Sequence, residues 1–447
     1  MTRVTLRSGV FGDGVSLGAG AALNGLFAYG FLLVGSRSFG VAFAPVSSVW
    51  SVWALTAAAV TVPTHHSVLR RAVSQGQSTH LRSLLVPAIG AGLVVSMATW
   101  PFRSHLFSTW SLIPPLVCGA LVPAAALLGW WRGSLSSEGR YGRVGVNLAM
   151  EGGVRLGTAL VLIALNAPPV ALALAILSGY LPTMVTLAAS RAGWRSEVAI
   201  PEVAIPEVAI PEVELLERPQ ANELTDAAFS AGVVAVALAV QVAQTVPVLS
   251  TSARATRADV VGLFNLIAIG RVPLLIGGAA LFRLTHWLSE GAPNERALRA
   301  RSMVGWASAP VLVLSAGAGA LLGPPLLPVL FGPTSQTSST LAALVGAASA
   351  AALLATAGAV VLAVQHQGWR LMWWSVASVG VGATVALGVP ADVAVRGASG
   401  YLTVTLLLLA GALLISPGAR DLPTAEPGST VPPVAAGGDG NTRRVDP

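Results

Sequence analysis

Long apolar runs separated by short polar turns dominate this chain, and their lengths give the first reading. Each of twelve runs approaches the roughly 20 residues that cross a bilayer core. They cover about 16–35, 41–62, 83–100, 108–131, 144–165, 168–189, 227–248, 258–282, 303–323, 341–364, 369–388 and 397–416. Prolines interrupt several of them, at 114, 115, 123, 182, 247, 273 and 310. Membrane helices tolerate this because neighbouring groups satisfy the freed carbonyls. Trp100, Trp110, Trp130, Trp131 and Trp369 fall near run ends, where an interfacial aromatic belt belongs. The pattern predicts an all-α polytopic membrane protein with twelve transmembrane helices.

Composition agrees. The 447 residues are 54% hydrophobic and 10% charged, against about 25% charged in soluble proteins. The basic residues are all arginine, and they set the direction of the chain. With twelve spans, the termini and every second loop share one side. That side holds nineteen loop or terminal arginines, from Arg3 and Arg7 through Arg132, Arg140 and Arg143 to Arg443 and Arg444. The other side holds Arg37, Arg103, Arg254, Arg257 and Arg396. The positive-inside rule then places both termini in the cytoplasm. Scattered arginines without interleaved aromatics give no nucleic-acid stripe. The one cysteine, Cys118, lies in an apolar run and reads as a packing residue.

The polar stretch between spans 6 and 7 repeats the pentapeptide EVAIP, and eight of the nineteen acids lie between Glu197 and Asp226. A proline after each isoleucine favours extended backbone. The stretch therefore reads as an acidic cytoplasmic spacer. The expected layout is an N-terminal six-helix bundle over 1–190, the repeat linker over 191–226 and a C-terminal six-helix bundle over 227–416. A disordered cytoplasmic tail follows over 417–447, where Pro and Gly are frequent and periodicity is lost. His65, His66 and His80 share one loop with no acid or cysteine to complete a metal site, so neither a metal nor another cofactor is expected.

The two halves begin alike. Both "SRSFGVAFAPVSSVW" and "TRADVVGLFNLIAIG" are short polar turns running into a cluster of small residues and phenylalanine. An even number of helices per half makes such repeats parallel, with substrate between them. Four segments carry a wider resemblance: "GFLLVGSRSFGVAFAP", "GRYGRVGVNLAMEGGVRLGTALVLI", "ADVVGLFNLIAIGRVPLLIGGAALF" and "LLGPPLLPVLFG". In this order they resemble polysaccharide-type flippases of the multidrug/oligosaccharidyl-lipid/polysaccharide exporter superfamily, over about residues 16–416. The resemblance implies two pseudo-symmetric six-helix bundles around a central cavity. It also implies movement of a lipid-linked sugar from inner to outer leaflet, with glycosyltransferases or a polymerase as pathway partners. The chain stops at twelve spans, whereas the commoner members have fourteen.

Ionisable groups inside spans cost ~2.5–3.5 kcal/mol each even on the lenient insertion scale. Glu151 and Arg155 in span 5 and Arg271 in span 8 are therefore candidate site residues. Asn147, Glu151, Arg155 and Thr158 share one helical face. Asn265 and Arg271 in span 8, Gln241 and Gln244 in span 7, and Asn24 and Arg37 at span 1 add polar groups. The expectation is one positive cavity between the halves, lined by these residues. Arg155 and Arg271 would meet a diphosphate through forked donors. Two other readings of the residues stay open: Glu151 and Arg155 paired only with each other, and Arg37 as an interface anchor.

Three function classes compete. A lipid-linked oligosaccharide flippase fits the positive in-span groups. A small-molecule or multidrug exporter coupled to a proton or sodium gradient is the alternative, although only Glu151 offers an in-span carboxylate. An enzyme is not expected, because the outer loops are short and almost free of acids.

Overall fold

The computed structural model describes residues 9–75, 79–194, 223–254, 256–272, 293–333, 335–365 and 367–415. The EVAIP repeat, Pro273 and the tail from Ser416 lie outside the described residues. Within them every regular element is helical. The helices are α1 (Gly9–Phe39), α2 (Ala44–Thr56), α3 (Val62–Gln75), α4 (Leu81–Thr99), the short α5 (Arg103–Leu106), α6 (Ile113–Ser137) and α7 (Tyr141–Ala164). There follow α8 (Leu172–Ser178), α9 (Leu181–Trp194), α10 (Glu223–Arg254), α11 (Arg257–Gly270), α12 (Pro293–Phe331), α13 (Ser339–Val364), α14 (Gly368–Gly388) and α15 (Val393–Leu414).

Among the described residues, nine helical stretches are long and apolar enough to cross a membrane. The first, Val15–Leu69, contains two passes, reversed at Gly40, whose φ of +52° suits a residue without a Cβ. Val234–Ser250 is a further apolar stretch within α10. The α11 helix begins the eighth pass, whose remainder lies outside the described residues. The order is the twelve-pass order predicted from sequence.

Local chemistry explains several element ends. The second pass is α2 continued into α3 through a π turn at Ala57–Thr61. Pro114 and Pro115 open α6, where their missing N–H groups cost no helical bond. The sixth pass is split into α8 and α9 at Gly179–Tyr180, just before Pro182. Asp259 completes a capping box with Thr256 at the start of α11, and Asp392 caps α15 by accepting from the Val395 N–H. These two acids stand at helix starts on the predicted outer side and take structural roles there.

The halves are built on a common packing plan. In the N-terminal half α1 presses on α7, and α4 on α6; in the C-terminal half α10 packs on α14, and α12 on α13. Small residues permit each approach. A Cβ added at Gly20 would lie 2.0 Å from the Gly145 carbonyl oxygen, and one at Gly232 would lie 2.7 Å from the Gly368 Cα. Gly92 and Gly119 play this part between α4 and α6, as do Gly319 and Gly346 between α12 and α13. Close backbone approach of this kind drives helix association where lipid offers no hydrophobic gain. Two pseudo-symmetric six-helix bundles are the result.

Candidate functional site

The sequence-predicted polar residues fall into two clusters and a seam, rather than into one cavity. The first cluster lies inside the N-terminal half. Glu151 shares its carboxylate between two arginines: Oε1 accepts from Arg155 Nη2 and Oε2 from Arg132 Nη2, both at 2.6 Å. Asn147 accepts from Arg132 Nε at 3.0 Å and donates to the Thr183 hydroxyl at 2.9 Å. Arg155 is fully buried, and its guanidinium lies 4.3 Å from the Trp53 ring centroid and 5.4 Å from that of Trp50. A desolvated cation over tryptophan is worth on the order of 2 kcal/mol. Trp53 in turn donates to the Tyr180 hydroxyl at 3.0 Å. The arginine keeps two buried donors, Nε and Nη1, without a hydrogen-bond partner. Thr158 stands apart from the ion network and accepts from Ser178 at 3.0 Å.

The second cluster belongs to the C-terminal half and reaches its boundary. Arg271, at the end of α11, donates through Nε to Gln244 Oε1 at 2.7 Å. Gln244 is fully buried and donates to the Tyr401 hydroxyl at 2.9 Å, which lies 3.4 Å from Ser349 Oγ. Tyr401 and Tyr29 are the electrostatic neighbours of the Arg271 guanidinium. Tyr29 comes from α1 of the other half and donates to the Ala268 carbonyl at 2.5 Å. Among the described residues Arg271 makes no ion pair, and Glu151 is the one buried carboxylate.

The α2 helix stands between the clusters. Its Trp50 and Trp53 turn to Arg155, while its Ser51 carbonyl accepts from Thr245 of α10 at 3.1 Å. Arg155 and Arg271 are thus held apart, because Glu151 and Arg132 fix the first arginine inside its own bundle. Asn265 lies in the seam between the halves, accepting from Ser36 at 3.1 Å and donating to Ser335 at 2.9 Å. Both amide atoms are occupied by protein. Arg37 is exposed at the end of α1 and donates to the carbonyls of Val329 and Leu330. Asn24 Oδ1 and Gln241 Oε1 are buried acceptors without a partner.

Sequence reasoning missed Arg132, which it placed in a loop one residue past span 4. It also missed Trp50, Trp53, Tyr180 and Tyr401. The Trp-Trp-Arg order at 130–132 was the available signal, since α6 continues to Ser137 and carries Arg132 inward. A separate groove of about 560 Å³ lies beside α4, α6 and α8–α9, lined by Leu85, Ile89, Pro123, Leu177 and Met184 among others, none of them ionisable.

No protein-family model matches the chain, and no curated protein matches it in sequence. Solved structures match it in fold. A transporter of the MOP superfamily from Pyrococcus furiosus aligns with TM-score 0.51 at 13% identity, covering 90% of this chain and 93% of that one. The eukaryotic MATE transporter AtDTX14 aligns with TM-score 0.50 at 14% identity, covering 91% and 94%. With its twelve-pass order and its two matching bundles, the chain has the fold of the MATE transporters of the MOP superfamily.

Proposed function

We propose that the chain is an alternating-access membrane transporter that exports a substrate bearing an anionic group, and that Arg271 meets that group. The observation that carries this reading is the Arg271 guanidinium. It lies where α1 of one half meets α11 of the other, held by a neutral amide and paired with no carboxylate among the described residues. An arginine left uncompensated in a membrane protein marks a substrate path. Its remaining donors form the fork that suits phosphate or carboxylate. Glu151 cannot serve a cationic drug in this arrangement, since both its oxygens are taken by arginines.

The transporter fold supports export of a small molecule directly. A lipid-linked diphosphate sugar is the finer reading, favoured by Arg271 and by the flippase-like segments. The Pyrococcus furiosus neighbour is described as having a binding pocket of reverse polarity that suggests a different function. An inter-half arginine without an acid partner is consistent with a similar departure here.

Purified protein in nanodiscs, titrated with farnesyl diphosphate, inorganic pyrophosphate and ethidium while tryptophan fluorescence is followed, tests the reading. Farnesyl diphosphate should bind and ethidium should not. Arg271→Ala should weaken diphosphate binding by about tenfold or more, and Arg271→Lys should recover part of it. Ethidium binding that is indifferent to Arg271→Ala, with no diphosphate binding, would favour a cation exporter instead.

A further inference from the structure

We propose that Arg37 and Arg257 form a reciprocal latch that holds the two halves together at the end of the molecule where α1 terminates. Arg37, in the last turn of α1, crosses to the C-terminal half and donates to the carbonyls of Val329 and Leu330. Arg257, the first residue of α11, crosses the opposite way and donates through Nη2 to the Ser108 carbonyl at 2.8 Å. The turn between passes 1 and 2 thus grips the turn between passes 9 and 10. The turn between passes 7 and 8 grips the turn between passes 3 and 4. Exchanging the halves maps one contact onto the other.

The acceptors have a reason to wait for an arginine. Val329 and Leu330 lie in the last turn of α12, whose carbonyls lack helical donors ahead of them. For Val329 the next donor in helical register would be residue 333, which is proline and has no N–H. The negative end of the α12 dipole adds to the attraction for a cation. Ser108 sits in a turn with φ +52°, outside any helix. The Ser36–Asn265 hydrogen bond crosses between the halves one residue before Arg37, and the Tyr29–Ala268 and Thr245–Ser51 bonds cross deeper in the spans. The Phe43–Phe264 ring contact also crosses between the halves, at 6.4 Å between centroids.

Both latch arginines are exposed, and among the described residues each grips main-chain carbonyl oxygen rather than a carboxylate. Exposed contacts of this strength bias an equilibrium without fixing it. They suit a closure that must open in every cycle. The latch is independent of the substrate's identity and of Arg271.

Spin labels on cysteines introduced at Ser38, beside Arg37, and at Gln336, in the turn that follows Leu330, two exposed positions on opposite halves, report its opening in nanodiscs by pulsed electron resonance. Wild type should show one dominant short distance. Arg37→Gln and Arg257→Gln should each raise the long-distance population about three- to tenfold, as expected on losing a solvent-exposed hydrogen bond. The double variant should raise it further, and Arg37→Lys with Arg257→Lys should fall between. An unchanged distribution in the double variant would overturn the latch. So would a loss of farnesyl diphosphate affinity in Arg37→Gln without any change in distance, since Arg37 would then be a ligand group.

Discussion

At Gly145 on α7 and at Gly368 on α14 the two halves pack alike, each with its first-pass helix pressed on its fifth-pass helix. Six residues further along, the likeness ends. The α7 helix carries Glu151 and then Arg155, while α14 carries Trp374 and then Ser378. In the N-terminal half the interior is ionic, with one carboxylate clamped between Arg132 and Arg155. Among the described residues of the C-terminal half it is neutral: Trp374 donates to the Leu407 carbonyl at 2.5 Å and Ser378 to the Trp374 carbonyl at 2.8 Å. Arg271 stands at the edge of that half, held by the neutral Gln244 amide. One packing plan therefore serves a bundle whose charges are locked inside and a bundle whose charge is presented outward. The first arrangement resists rearrangement, and the second leaves a cation available to something that arrives.

The comparison breaks most sharply at Glu151. Glu151→Ala leaves two buried arginines without their counter-ion and should cost about 3–5 kcal/mol. A thermal melt of the detergent-solubilised protein should show it, whereas Trp374→Phe should cost far less. Combining Glu151→Leu with Arg132→Met and Arg155→Met should recover most of the loss, because apolar replacement of a whole buried ion network is often neutral. A Glu151→Ala protein that melts like wild type would show the network to be idle.

The shared plan is tested at the glycines. Gly20→Ala and Gly232→Ala should each destabilise by about 1–3 kcal/mol, since a methyl group there meets the facing backbone. A loss in one half and none in the other would break the pseudo-symmetry. Smaller still is Tyr401→Phe, which removes the acceptor of the Gln244 amide. It should cost about 1 kcal/mol, and diphosphate affinity should fall as Gln244 loses its hold on Arg271. Smallest is Asp392→Ala, which removes an exposed cap for about 0.5 kcal/mol, at the low end for caps. Asp259→Ala should cost more, because it breaks a reciprocal box.

Much of the fold was legible because lipid demands long apolar runs. The Glu151–Arg155 pair was legible too, since i and i+4 meet on any helix. Arg132 was not. It lies past two tryptophans that mark an interface, and nothing local says that α6 runs on to Ser137. Its partner is 19 residues away on another helix. The split between Arg155 and Arg271 was hidden for a similar reason. Helical periodicity tells which residues share a face, but the side on which α2 stands is decided by packing. The acceptors of Arg37 lie 292 and 293 residues downstream, beyond the reach of any local pattern.

The π turn at Ala57–Thr61 has a consequence for the second pass as a whole. It takes in an extra residue without adding a full turn, and so acts as a phase shifter within one continuous rod. Above it, α2 shows Trp50 and Trp53 to Arg155 and the Ser51 carbonyl to α10. Below it, α3 meets α6 at Gly129 and Gly133 through Thr64 and Val68. Regular α-helix through the same residues would rotate one part against the other by about 100°, the angle of a single residue. The two contact sets could not then be met together. A one-residue deletion at Ala58 would thus leave regular α-helix with the two ends of the pass still in step, while a further one-residue insertion there would put them out of step.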